Sequence, residues 1–558
     1  LNWQQSYLLF GFGLGPSVVI AALPIVTLLV VLAVLRKPAW LAGLAGLAVA
    51  LLLAIVGYGM PPLLAVSSAA SGVAFGLFPI LWIIFWAITL FRVTVETGHF
   101  EVIKNSIGRL TPDPRLQALL IAFAFSGFLE GSAGFGTPVA IASTMLIGLG
   151  FSAFSASALC LLANTAPVAF GSIGIPVFTL AGITGLSATK LGAGVGSLCA
   201  PISFLIPAYL TLAVGGFEST QGIWQPLLLA GAVSGGVQFA VSTWLGPQLV
   251  DILAGLSSMA ALVVYLRYAR VKAPADPARH AAMLHRFARL GAPAASGTEL
   301  VMDAQAIPTY TLGTVVYAWS PYVLLVTCVL LWGWAPLAAI LDKPTVILHW
   351  PYLHNLVLKM PPIVARPTPY AAIFTFNWLS AAGTACMVAT LLSAAMLRMK
   401  PRAFAKVLLA VVRQLTKPTA TVSTVLAVAF LMNYCGATVT LGLAFAATGR
   451  MFPFFSALLG WLGVFLTGSD TSSNALFGNL QVVTANRLGF SPVLMAAANS
   501  SGGVMGKMIS LQTIAIAAAA TGLTAAEQSR LFRFTLKHSI LLACAIGCLA
   551  LLYTHLHI

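Results

Sequence analysis

Apolar runs of about 20 residues follow one another along the chain, separated by short polar or basic stretches. A run of that length crosses the hydrocarbon of a bilayer as a helix, because backbone groups in lipid must bond within their own segment. Plain runs predict spans at about 17–35, 40–60, 72–91, 195–213, 227–245, 249–267, 313–340, 370–397, 419–447 and 538–555. Four more apolar segments, 116–147, 154–180, 452–487 and 493–523, are interrupted by Gly, Ser, Asn or Pro. The polar, amphipathic stretch from Glu96 to Arg115 suits a helix lying on the membrane surface. None of this resembles the ten-residue alternation of an outer-membrane barrel. The expected fold is an all-α polytopic membrane protein of about a dozen spanning helices. It carries two re-entrant hairpins, at 116–147 and 452–487, and two broken helices, at 154–180 and 493–523.

Composition supports that class and charge orients it. The 558 residues are 59% hydrophobic and only 7% charged, against roughly 25% charged in soluble domains. The formal charge of +16 does not point to nucleic acid. Lys and Arg gather in short loops: Arg36-Lys37, Arg92 to Arg115, Arg267 to Arg289, Arg398 to Lys417 and Arg530 to Lys537. Basic loops stay in the cytoplasm. The seven Cys sit inside apolar runs without metal-ligand spacing, so neither a disulfide framework nor a metal site is expected. The eight His are read as loop or span-end residues, and no Walker A loop is present. No cofactor is therefore expected, nor a catalytic constellation. The first apolar run has no basic leader, so no cleavable signal peptide is expected.

The chain repeats itself. Phe128-Leu129-Glu130-Gly131-Ser132-Ala133 matches Phe465-Leu466-Thr467-Gly468-Ser469-Asp470 at four of six positions. Leu149-Gly150-Phe151-Ser152 recurs as Leu488-Gly489-Phe490-Ser491, Ala163-Asn164-Thr165 as Ala498-Asn499-Ser500, and Thr184-Gly185-Leu186 as Thr521-Gly522-Leu523. The outer anchors are equally spaced in both copies, 128 to 184 and 465 to 521. With Arg36-Lys37 inside, the first hairpin is entered from the cytoplasm. With Arg398 to Lys417 inside and one crossing at 419–447, the second is entered from outside. The expectation is an inverted-topology repeat. Residues 1–266 form the first half, 267–308 a basic cytoplasmic linker, and 309–558 the second half.

The candidate chemistry lies in the interruptions. Most of the twelve acidic residues read as loop residues, but Glu130 and Asp470 fall at nearly matching places inside the repeats. A carboxyl at membrane depth is paired, protonated or functional. Each could cap a half-helix or carry the coupled proton, Asp470 being the first candidate because hydroxyl and amide residues surround it. The broken runs supply Ser132, Gly134, Ser469, Thr471, Ser472, Ser473 and Asn474 near the hairpin tips. Asn164 and Thr165 with Pro167, and Asn499 and Ser500 with Gly502 and Gly503, are expected to break the following spans. Lys507 is the only Lys or Arg in the middle of an apolar span, and its partners are Asp470, Glu130 or a substrate carboxylate. Close helix packing through the same small residues is the plainer reading.

These residues resemble the lactate permease family. The stretch Phe128 to Ile141 is similar to its FLEG-AGFG-PVAI signature. Asn164 to Gly171, Gly460 to Asn474, Gly502 to Ser510 and Phe532 to Ser539 extend the likeness over nearly the whole chain. Ser132, Thr137 and Leu511 are local departures. The resemblance implies proton symport of L-lactate, D-lactate and glycolate across the bacterial inner membrane by an elevator-like transporter. A sodium-coupled di- or tricarboxylate carrier of related architecture is the alternative. Oligomeric state is not legible.

Overall fold

The computed structural model describes every residue except 1, 12, 36, 109, 135, 269–276, 291–309 and 557–558. Among the described residues, eleven helices are long and apolar enough to cross a membrane, twelve if a pair bent by 63° counts as one. That bent pair is Ala153–Ala163 with Val168–Thr184, the first predicted broken helix. A helix at His99–Gly108 takes the place of the predicted surface helix.

Both predicted hairpins are pairs of helices with a glycine turn between them. In the first, Pro114–Ala118, Leu119–Phe125 and Ser126–Ser132 run continuously to a turn, and Thr137–Gly148 runs back. Gly134 and Gly136 hold the turn at φ 55° and 80°, where a side chain would strain the backbone. In the second, Phe452–Thr467 ends at Gly468, φ 74°, and Asp470–Leu488 returns.

The second broken helix corrects an expectation. Asn499 to Gly503 do not interrupt it; Pro492–Lys507 is one unbroken helix, and the break lies at 508–510 before Leu511–Thr521. The glycines serve packing instead. A Cβ on Gly502 would stand 2.1 Å from Ala457 O, one on Gly506 2.4 Å from Trp461 O, and one on Gly460 1.7 Å from Asn499 O. Backbone lies against backbone along this seam, which is how helices associate where lipid supplies no hydrophobic drive.

Two more expectations give way. The basic stretch 398–417, read as a loop, is the first half of a 35-residue helix, Pro401–Cys435. Its Lys, Arg, Ala and Leu are good helix formers, and Val407, Val411 and Leu415 are buried at i, i+4 spacing. The span predicted at 370–397 is only Ala382–Met396. Upstream of it, Ile373–Phe376 pairs antiparallel with Val346–His349, as β-branched and aromatic residues favour.

A second small sheet involves the N-terminal segment. Trp3–Gln4 lies parallel to strand Val357–Lys359, which pairs antiparallel in turn with Thr368–Pro369. Gln5 Nε2 donates to the carbonyls of Asn433 and Tyr434, and the Tyr7 hydroxyl donates to Gln5 Oε1. Lys359 Nζ stands 3.9 Å over the Tyr370 ring, and burial there holds its amine below the usual lysine range.

The linker falls largely outside the described residues. Its helix Pro277–Ala288 docks on the first half: Ser155 Oγ donates to Phe287 O, and Arg286 to Gly215 O.

Candidate functional site

The first hairpin turn packs on both broken helices, and the second packs on the second broken helix just past its break. Gly136 packs on Ile516, Gly468 on Gln512, and Gly134 on Ser172. Helix Asp470–Leu488 lies against Gly171–Thr184, with Asn474 Nδ2 donating to Pro176 O at 3.2 Å. The first break is a strained turn. Ser172, Ile173 and Gly174 all have left-handed backbones, at φ 48°, 62° and 78°, which costs most at the branched Ile173.

These elements surround a cavity of about 1170 Å³. Glu130, Ser469, Asp470, Thr471, Ser472 and Lys507 line its inner end; exposed Lys37, Lys417 and Arg533 line its mouth. The mouth is thus on the side that basic loops mark as cytoplasmic.

One ion pair spans the inner end. Lys507 ends its helix, where a cation suits the helix dipole, and its Nζ donates to Glu130 Oε1 at 3.3 Å. Glu130 is 2% exposed, and its Oε2 has no partner among the described residues. Asp470 makes no ion pair with Lys507. Its Oδ2 accepts from Ser500 Oγ at 2.7 Å and from Asn474 Nδ2 at 3.1 Å, and its Oδ1 is buried without a partner among the described residues. Behind it, Gln481 donates to Asn499, and Asn499 to Asn474. This linked set of amides fixes the carboxyl from the protein side. Neither carboxyl accepts a backbone N–H; Ser469 caps the helix by accepting from Ser472 N.

The L-lactate permease family profile matches residues 17–557. The chain belongs to the L-lactate permease family. It is 42% identical to an L-lactate permease of Salmonella typhimurium, over 99% of this chain and 98% of that one. It is equally identical to the glycolate permease GlcA of Escherichia coli, over 100% and 98%, and to an L-lactate permease of Bacillus subtilis, over 100% and 99%. Like other bacterial members of the L-lactate permease family, it is a multi-pass inner-membrane transporter. Two solved transporters align loosely. The Alcanivorax borkumensis YdaH transporter has a TM-score of 0.42 at 13% identity, over 87% of this chain and 86% of that one. Neisseria gonorrhoeae MtrF has 0.44 at 12%, over 88% and 83%. Neither likeness carries an argument.

Within this permease, the predicted residues divide. The six named above reach the cavity. Asn474, Asn499 and Ser500 form the wall behind Asp470, and Ser473 Oγ donates to Gly460 O. Ser132 Oγ donates within its own helix, to Phe128 O, and Thr165 Oγ1 to Leu162 O. Gly134 shapes the turn. Asn164 is buried with neither amide atom partnered, and it does not line the cavity.

Other site residues escaped sequence reading. Ser172 and Gln512 line the cavity. Asp251, at the very start of the predicted 249–267 span and not singled out there, is 3% exposed and begins helix Val250–Tyr268. His538 is not at a span end but midway along Ala525–His555, 2.5 Å from the Tyr209 hydroxyl.

Proposed function

We propose that the protein imports L-lactate, together with D-lactate and glycolate, by proton symport. The observation that carries this reading is the Lys507–Glu130 pair at the inner end of the cavity. A 2-hydroxy-monocarboxylate offers one carboxylate and one adjacent hydroxyl. Lys507 suits the first; Ser469, Thr471 and Ser472, at the N-terminus of helix Asp470–Leu488, suit the second.

The same pair suggests how anion and proton couple. When the substrate carboxylate takes Lys507, Glu130 loses its counter-charge and takes up a proton. Asp470, with no cation of its own, is the other proton carrier. One proton per anion makes the step electroneutral, removing a penalty of about 2.3 kcal/mol per charge per 100 mV of inside-negative potential. Lactate and glycolate differ by one methyl group, and a pocket discriminates that by only about 1–3 kcal/mol. Glycolate is therefore expected to compete with lactate.

In architecture, the two halves are proposed to be inserted in opposite senses, each contributing one hairpin and one broken helix to the site. The test is uptake of labelled lactate into proteoliposomes under imposed pH, Na⁺ or voltage gradients. An inward proton gradient alone should drive accumulation. Accumulation that requires Na⁺ and persists without a pH gradient overturns the reading.

A further inference from the structure

The first half holds a buried acid that the lactate site does not use. Asp251 lies against the turn of helix Ser126–Ser132, one residue beyond Glu130: a Cβ on Gly131 would stand 2.8 Å from Asp251 Cβ. Among the described residues, no Lys or Arg pairs with Asp251. Lys507 is engaged by Glu130, and buried Arg115 by Asp113. The titratable groups that face Asp251 from packed elements are Glu130 and, within electrostatic reach, Cys199 on Ala188–Gly215. Helices Trp224–Trp244 and Gly171–Thr184 carry no titratable residue. A carboxylate placed this way has no counter-charge to offset its removal from water.

Asp251 also has somewhere to exchange a proton. Its Oδ2 has no partner, and it lines a second cavity of about 20 Å³ with Ser203, Ser234 and Gln238. That volume holds one water molecule, and the lining is polar enough to bind it. The cavity touches Ala166 and Pro167 in the break of the first broken helix, close in sequence to the unpartnered Asn164.

We propose that Asp251 is a further proton-carrying carboxyl of the transport cycle, reached through this water-sized cavity and lying behind Glu130, away from the substrate. The inference rests on the proton-symport reading, and its test separates the two. Wild type, D251N and D251E are reconstituted, and pH-driven lactate accumulation and lactate counterflow are measured across pH. If wild type does not respond to the proton gradient, the symport reading itself falls. If it responds, D251N is expected to lose accumulation and the pH dependence of counterflow, while keeping counterflow itself and wild-type thermal stability. D251E, still titratable, is expected to restore accumulation. Wild-type accumulation and pH profile in D251N overturn the proposal. So does stabilisation by Na⁺ of wild type but not D251N, which would make Asp251 a cation ligand. A second measurement needs no variant. Dicyclohexylcarbodiimide, which modifies protonated carboxyls in apolar surroundings, is expected to label Asp251 of the wild-type protein at neutral pH. Peptide mapping that finds Asp251 unmodified overturns the proposal even if D251N fails to fold.

Discussion

Lys507 and Glu130 come from opposite ends of the chain and meet at 3.3 Å, with side chains 11% and 2% exposed. Removing one partner from such a pair leaves a buried charge uncompensated, at roughly 3–5 kcal/mol. K507A is therefore expected to lower stability by about that much and to abolish lactate binding, whereas K507R keeps the charge and retains weakened binding. Melting curves with and without lactate check this, and equal wild-type affinity in both variants would remove Lys507 from the site. D470N preserves the shape of the carboxyl and deletes its titration. It is expected to abolish pH-driven accumulation while exchange survives, and normal uphill uptake by D470N would move the proton elsewhere. These three residues were legible because a charge inside an apolar run stands out. Asp251 was not. It falls at the edge of a predicted span, just after Gly246 and Pro247, where an acid reads as lying at the membrane surface, yet the chain folds that loop inward: a Cβ on Gly174 would stand 2.6 Å from Pro247 O. Ser172 was missed for a similar reason, since only its left-handed backbone turns it to the cavity.

Helices of this membrane protein are identified by length and fastened by glycine. Apolar run length located most spans, but it could not tell a glycine that breaks a helix from one that lets another helix approach. Gly502 and Gly503 were read as breakers and are packing residues; Gly134, Gly136 and Gly468 are turns. The difference lies in the partner, which sequence does not display. Gly460 faces the Asn499 carbonyl so closely that a methyl group cannot be accommodated without displacement. G460A is expected to separate Phe452–Thr467 from Pro492–Lys507 and to cost about 1–3 kcal/mol, as overpacking does. G489A, at an open position but with φ 75°, should cost only its backbone strain, about 1–2 kcal/mol. Thermal unfolding in detergent measures both. Lactate binding should fall in G460A alone, because its seam carries Asn499 and Ser500 behind Asp470.

Across the whole molecule, the cavity opens among Lys37, Lys417 and Arg533, while the N-terminal strand and the strands at 346–376 pack at the opposite end, where Trp3 Nε1 donates to Gly59 O and Trp350 Nε1 to Ser67 O. Single cysteines at 417 and 533 should react with an impermeant reagent from the cytoplasmic side, and cysteines at 347 and 378 from the other. Labelling of all four from one side would refute both the topology and the opposed insertion of the halves. This orientation is read from the basic loops. That packing was not readable, because its pieces are short and far apart: Tyr7 and Met360 bond across 353 positions. That separation has a consequence for how the protein is made. Contacts so remote in the chain form late, so the outer end stays uncovered until the ribosome has delivered residues 356–358. A nascent chain stopped before residue 345 has its first half inserted but nothing for Trp3 and Gln4 to pair with. Protease protection of the N-terminal segment, followed during synthesis, should rise only after the second half has emerged.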